Sequence, residues 1–345
     1  MAADEGGTRT GRSVQRLIGI ALIAASFLTG WLWMDYREAL DRPLGLKSPA
    51  YFEIARGDSL AHIAAGLEER GVVSNPVWFR LRAYLDGSAR RLKYGEYEIP
   101  PGTTLRGLLA MFVAGKVRQY PVTLVEGWTF GQILTALGQC PPLKKLAAGK
   151  PSDEIMQMIG APGEHPEGRF YPDTYFVTKG TPDVEVLKRA YRRMQAVLNE
   201  EWAKRGDGIP YATPYESLIV ASIVEKETAR ADERPLVAGV FTRRLAMGML
   251  LQTDPTVIYG LGDRFTGDIR KDDLLRDTPY NTYVRSGLPP TPIAMPGLGS
   301  IRAALHPDAG DSLYFVARGD GTHVFSNNLE EHRRAVEQFQ KHRHD

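Results

Sequence analysis

The stretch TPYESLIVASIVEKETAR, residues 213–230, decides how the chain folds and where its chemistry lies. Thr213, Pro214 and Glu216 read as an N-cap, a first-turn proline and a capping-box partner. A threonine hydroxyl accepts a free first-turn N–H there, and proline lacks the N–H that would go unpaired. Residues 218–224 are apolar apart from Ser222, which predicts a helix buried on nearly all sides. Glu225 and Glu227 follow without breaking the helical pattern, Glu225 on the face of Leu218, Ala221 and Ser222. A carboxyl at the end of a buried helix is partly desolvated, which raises its pKa above the ~4.3 of free glutamate. Glu225 is therefore the candidate acid/base, and Glu227, pointing elsewhere on the helix, its competitor. The plainer alternative is that Glu225, Lys226 and Glu227 are the exposed end of a core helix.

Downstream, residues 232–247 read as a second helix with Val237, Val240, Phe241 and Leu245 on one side, ended by Gly248. In LLQTDPTVIYG (250–260), Gln252, Thr253 and Asp254 are polar groups between apolar flanks, and Pro255 stiffens the backbone. TPYNTYVRSGLPPTPIAMPG (278–297) mixes Tyr280, Asn281, Tyr283 and Arg285 with five prolines. Rings that stack on sugars and amides that bind hydroxyls suit a carbohydrate groove, and a long irregular loop is uncommon unless it is functional. SLYFVA (312–317) and residues 322–325 read as a hairpin. Asn327 or Asn328 then caps a C-terminal helix whose His332, Arg333 and Arg334 are expected in solvent. His323 and His332 are too isolated to argue for a metal, so neither a metal site nor a cofactor is expected.

Upstream, residues 181–205 form a charged helix and residues 141–165, broken by proline and glycine, look loop-rich. LIGIALIAASFLTGWLWM (17–34) carries no charge, and at 1.5 Å per residue spans roughly 27 Å, near the lower limit for a bilayer core. Arg9, Arg12 and Arg16 precede it, whereas Asp35, Arg37, Glu38 and Asp41 follow with little net charge. That asymmetry keeps residues 1–16 in the cytoplasm and the remainder outside. The apolar run is long for a cleaved signal peptide, and no small-x-small site follows Trp33. With 345 residues, a formal net charge of +2 and one cysteine, Cys140, the chain has room for two domains. It lacks a strongly basic nucleic-acid footprint, and it can form neither an internal disulfide nor a zinc site of several cysteines. The expected class is α+β, with residues 35–50 a linker, 51–118 a small α/β subdomain and 119–345 a larger catalytic domain.

Two resemblances sharpen this. The strand–helix–helix–strand order of the small subdomain, with RGDSLAHIA (56–64), resembles the LysM glycan-binding module. More specifically, ASIVEKET (221–228), RLAMGMLLQTDPTVIYG (244–260), YNTY (280–283), GLPPTPI (287–293), HVFSNNLEEH (323–332) and PEGRFYPDTYFV (166–177) resemble, in order, the signature blocks of the MltG (YceG-like) family. The resemblance implies a bacterial inner-membrane enzyme that cleaves within nascent peptidoglycan strands and leaves 1,6-anhydro-N-acetylmuramic acid ends. It carries the acid/base onto Glu225, with Gln252, Thr253, Asp254, Tyr280, Asn281, Tyr283 and Glu167 in substrate-binding roles. Its expected partners are glycan strands and the inner membrane, with peptidoglycan synthases or division and elongation proteins as further candidates. Two other readings stay open: a hydrolytic muramidase with Asp254 or Glu227 as second carboxylate, and a non-catalytic glycan-binding scaffold.

Overall fold

The computed structural model describes residues 7–339, so the first six residues of the basic leader lie outside the described residues. The chain divides into two compact units, one ending at Gln119 and the other beginning at Tyr120.

In the first unit, helix α1 (Gly7–Asp41) precedes β1 (Ala50–Ile54), α2 (Leu60–Glu69), α3 (Pro76–Leu85), β2 (Gly95–Ile99) and α4 (Leu105–Ala114). Helix α1 is long and apolar enough to cross a membrane. It runs further than expected: residues 35–41 are helical rather than linker. The reason is packing, because Tyr36 and Leu40 bury themselves in the core of this unit, and Trp78 donates to Asp35 at 2.9 Å. Strands β1 and β2 pair antiparallel, Phe52 opposite Tyr97 and Ile54 opposite Gly95. Their period of two turns Phe52, Ile54, Tyr97 and Ile99 inward. Ser59 caps α2, accepting from His62 N–H. The rings of Phe52, Phe79 and Tyr97 all pack on Phe112.

The second unit contains β3 (Tyr120–Thr123), α5 (Phe130–Gln139), α6 (Ser152–Ile159), β4 (Thr174–Val177) and α7 (Asp183–Ala203), followed by α8 (Pro214–Glu227), α9 (Arg234–Ala246), α10 (Asp254–Leu261), α11 (Lys271–Leu275), α12 (Leu298–Leu305), β5 (Tyr314–Ala317), β6 (His323–Ser326) and α13 (Leu329–Phe339). Helices and separate two-stranded antiparallel sheets, β3 with β4 and β5 with β6, make an α+β arrangement. Helix α6 lies in a stretch expected to be loop, and it forms because Ile155, Met156 and Ile159 bury one face.

Helix α8 is the spine. Thr213 accepts from Glu216 N–H, and the Glu216 carboxylate accepts from Ala212 N–H at 2.6 Å. Residues 217–224 are all buried, as expected for a helix with no polar face. Helices α9 and α12 pack against it. Ser222, the one polar group in its apolar run, is satisfied twice: its hydroxyl donates to Ile219 C=O and accepts from Ile293 N–H. That second bond pins the proline-rich loop, whose residues 291–297 are buried against the spine. At the C-terminus Asn328 is the cap, accepting from Glu331 N–H, and α13 packs on β5 and β6.

Candidate active site

The two glutamates at the end of α8 are about 200° apart around the helix, at 100° per residue, and they enter different surroundings. Glu225 is enclosed, with a side chain 7% exposed, but its neighbours are polar. Its Oε2 accepts from Gly297 N–H at 3.0 Å and from the Ser300 hydroxyl at 2.7 Å. The Arg234 guanidinium lies 3.9 Å from its Oε1. Glu126 closes over the same spot: a Cβ on Gly297 would lie 1.9 Å from Glu126 Oε1, so a larger residue there would have to push the Glu126 carboxyl aside. Burial, and then the charge of Glu225, push the Glu126 pKa above the carboxylate range, with Arg234 opposing. Both oxygens of Glu225 are thus engaged, one tying α8 to the start of α12 and the other facing the first residue of α9.

Glu227 instead lines a cavity of about 420 Å³ together with Arg244, Gln252, Asp254, Tyr283 and His323. Thr253 donates its hydroxyl to Glu227 Oε1. The Glu227 carboxyl is pushed up to about 7, chiefly by desolvation and further by the charge of Asp254, against the opposing effects of Thr253 and His323. Glu227 is the last residue of α8, and Thr228 leaves the helix in extended conformation. The core helix therefore delivers this carboxyl to the cavity wall, where it holds a proton near neutral pH.

The segment after α9 supplies the facing wall. Gln252 has φ of 52°, a left-handed conformation uncommon outside glycine. It is held there by Gln252 N–H donating to Thr282 C=O at 3.1 Å and by Arg244 donating to its Oε1 at 3.3 Å. Thr253 is buried, its N–H bonded to the Thr282 hydroxyl. Asp254 opens α10 and accepts from the Tyr283 hydroxyl at 2.6 Å. Desolvation and the adjacent Asp254 carboxylate raise the Tyr283 phenol, which stays a donor.

Of the residues expected to bind substrate, Gln252, Asp254 and Tyr283 line the cavity, and Thr253 hydrogen-bonds Glu227. Of the remaining three, Asn281 and Glu167 are buried and Tyr280 is half-buried. Asn281 is 1% exposed, and its amide donates to the carbonyls of Asp273, Leu274 and Arg276 while Oδ1 accepts from Tyr283 N–H. Tyr280 bonds Thr291 through its hydroxyl and packs edge-on against Tyr259. Glu167 is buried, accepting from Phe130 N–H and the Tyr259 hydroxyl at 3.0 Å each, with its pKa pushed up to about 7 by desolvation. It is a strut between the starts of α5 and the length of α10. Their polar groups, read as ligands for hydroxyls, make hydrogen bonds to the protein's own backbone and side chains.

The cavity also holds Arg244, Tyr314, His323 and His332, none of them among the residues expected to bind substrate. His332 is a correction, because it was expected in solvent and instead lies in the cavity wall. Arg244 and both histidines sit inside quoted motif blocks, yet an isolated histidine or arginine carries no local mark of which way it will face. Among the described residues no cluster of three or more His, Cys, Asp or Glu is arranged to hold a metal.

An α+β fold that ends its buried helix in a proton-holding carboxyl, faced by a second carboxylate, an amide and a phenol, defines an acid–base site. A sequence model of the YceG-like family matches residues 52–338, and the chain belongs to that family. It is 31% identical over 311 residues to a Bacillus subtilis (strain 168) protein named endolytic murein transglycosylase, covering 85% of each chain. A Streptococcus pneumoniae (strain D39) protein of the same name is 29% identical over 357 aligned positions, which cover 91% of this chain and 63% of that one. The 2.6 Å crystal structure of a yceG-like protein from Listeria monocytogenes superposes with a TM-score of 0.54 at 32% identity, over 84% of this chain and 99% of that one.

Proposed function

We propose that this protein is a membrane-anchored endolytic lytic transglycosylase of peptidoglycan whose acid/base is Glu227 rather than Glu225. The observation that carries the assignment is the contrast between the two carboxyls. Glu225 is engaged at both oxygens, whereas Glu227 faces an open cavity with its pKa near 7. The names of the relatives from Bacillus and Streptococcus support the reaction type.

Protonated Glu227 donates to the oxygen joining N-acetylmuramic acid to N-acetylglucosamine, and the bond from that oxygen to C1 of the muramic acid breaks with oxocarbenium character. The resulting carboxylate takes the proton of the same sugar's C6 hydroxyl, whose oxygen closes onto C1. The ends are a free 4-hydroxyl and a 1,6-anhydro sugar, with no water consumed and no enzyme nucleophile. Thr253 fixes the Glu227 rotamer. Gln252, Asp254 and Tyr283 bind sugar hydroxyls and the N-acetyl group.

Helix α1 is the anchor, a single pass through the bacterial inner membrane with the basic leader cytoplasmic and the catalytic unit periplasmic. Its support is an apolar run whose side chains are exposed to whatever surrounds the protein, with Arg9, Arg12 and Arg16 before it and charges of both signs after it. The first unit, with its LysM-like element order, is a further glycan-binding element on the same strands. Peptidoglycan synthases and division or elongation proteins are the candidate partners.

The second reading, a hydrolytic muramidase, is favoured by one observation, the Asp254 carboxylate in the same cavity as Glu227. Digestion of purified uncrosslinked glycan strands followed by mass analysis separates the two. Anhydro-ended internal fragments are expected from the wild type and not from Glu227→Gln, and fragments heavier by one water would make the enzyme a hydrolase. A Glu227→Gln variant that digests like the wild type would remove Glu227 from the mechanism.

A further inference from the structure

The C-terminal helix contributes side chains to the cavity that the acid–base steps do not use. Leu329, His332 and Val336 of α13 line it with Glu227, and their spacing puts them on one helical face. The His332 ring lies against Tyr314, centroids 5.1 Å apart and planes within 22°. The Arg244 guanidinium carbon is 4.9 Å from the centroid of the same tyrosine. Arg244 is itself immobilised: Nε donates to Leu313 C=O at 2.7 Å, and Nη1 reaches Leu250 C=O, Leu251 C=O and Gln252 Oε1. The stack on Tyr314 is therefore anchored at one end by a buried cation with no freedom to swing.

His332 differs from its neighbours in having polar capacity left over. Its Nδ1 is buried without a hydrogen-bond partner, so Nε2 is the nitrogen that can meet a ligand. Desolvation and the nearby Arg244 hold its pKa below the usual histidine range. At neutral pH the ring is an uncharged imidazole with one donor and one acceptor. A flat neutral ring with a polar edge, between Leu329 and Val336, matches a pyranose carrying uncharged hydroxyl and N-acetyl groups better than it matches an anion.

We propose that His332 is a substrate-binding residue: its ring, held against Tyr314, walls the sugar site, and its Nε2 hydrogen-bonds an N-acetyl or hydroxyl group of the glycan. The C-terminal helix then completes a subsite next to the acid rather than merely closing the fold. This rests on the glycan-cleaving reading above.

The test uses the full-length protein in detergent and soluble uncrosslinked glycan strands. Binding is measured in the Glu227→Gln background with His332 intact, with His332→Phe, which keeps a flat ring on Tyr314, and with His332→Gln, whose amide reaches toward the position of Nε2. Thermal melting of each variant is recorded alongside. His332→Phe is expected to bind roughly three- to tenfold more weakly, the contribution of one neutral hydrogen bond, with unchanged melting, and His332→Gln to recover at least half of the loss. In otherwise wild-type protein, His332→Phe should raise KM by the same factor and leave kcat within about twofold. Unchanged binding by His332→Phe overturns the proposal. So does an equal loss in both variants, or a loss that tracks a lowered melting temperature, since packing would explain either. Failure of the wild type to release anhydro-ended fragments from the same strands would instead refute the glycan-cleaving reading.

Discussion

Activity is expected to follow the protonation of Glu227. With its carboxyl pushed up to about 7, about half the molecules carry the proton at pH 7, whereas at the ~4.3 of free glutamate about one in 500 would. Burial in the cavity wall thus raises the competent fraction roughly 250-fold at neutral pH. The assay is release of anhydro-ended fragments from uncrosslinked strands between pH 5 and 9. kcat/KM should be level up to about pH 7 and then fall about tenfold per pH unit, because only the protonated carboxyl can donate. Glu227→Gln should lower kcat by at least ~10²–10⁴ and erase that limb. Glu225→Gln should lose less and keep the limb, since it disturbs the contacts with Gly297 and Ser300 but not the cavity carboxyl. An inactive Glu225→Gln beside a Glu227→Gln within tenfold of wild type would refute the reasoning and return the acid to Glu225. A high-pH limb that survived in Glu227→Gln would do the same.

Three further outcomes follow from the same geometry. Asp254→Asn removes a charge that raises the Glu227 pKa, so the alkaline limb of the rate profile should move to lower pH; a limb that stays put would show that Asp254 does not act on the acid. The raised Glu227 pKa also lowers stability at neutral pH. Between about 4.5 and 7 the folded carboxyl keeps a proton that the unfolded chain releases, so wild-type stability falls as pH rises through that window. Glu227→Gln, with no proton to lose, should therefore be the more stable protein at pH 8, by about 3 kcal/mol at most. The gap should close by pH 4 in denaturant titrations, and a gap independent of pH would count against a buried acid. Asn281→Ala removes the amide that holds three carbonyls in and just after α11 and should cost about 1–3 kcal/mol, read as a lower melting temperature with the pH profile unmoved.

Much of this molecule is legible because local signals agree with one another. Thr213, Pro214 and Glu216 start a helix by satisfying or lacking first-turn N–H groups, and the apolar run after them has no face to leave in water. Alternation at Phe52–Ile54 and Tyr97–Ile99 reads directly as a two-stranded pair. The boundary of α1 was less legible. Asp35, Arg37 and Glu38 end the apolar run, but the helix continues because Tyr36 and Leu40 find a core on residues far along the chain. The same blindness to long-range partners explains Asn281 and Glu167. A polar side chain looks alike in sequence whether it will meet a sugar or a backbone carbonyl, and the carbonyls of residues 273–276 cannot be foreseen from YNTY.

By itself the sequence determined that a buried helix ends in carboxyls, that an apolar helix of membrane-spanning length leads the chain, and that the motif blocks run in the order of one family. All of these depend on residues close together along the chain, where spacing translates directly into a helical face or a turn. Which of the two glutamates carries the acid was decided only in three dimensions. Glu225 and Glu227 share a helix and nearly share an address, yet Gly297 and Ser300 come from a distant segment, with Arg234 from the next helix, to occupy the first. Thr253, Asp254 and Tyr283 come from others to build a cavity around the second. A carboxyl's proton affinity is set by what surrounds it in space, and here Thr253 reaches Glu227 from 26 residues away while Gly297 and Ser300 reach Glu225 from 72 and 75.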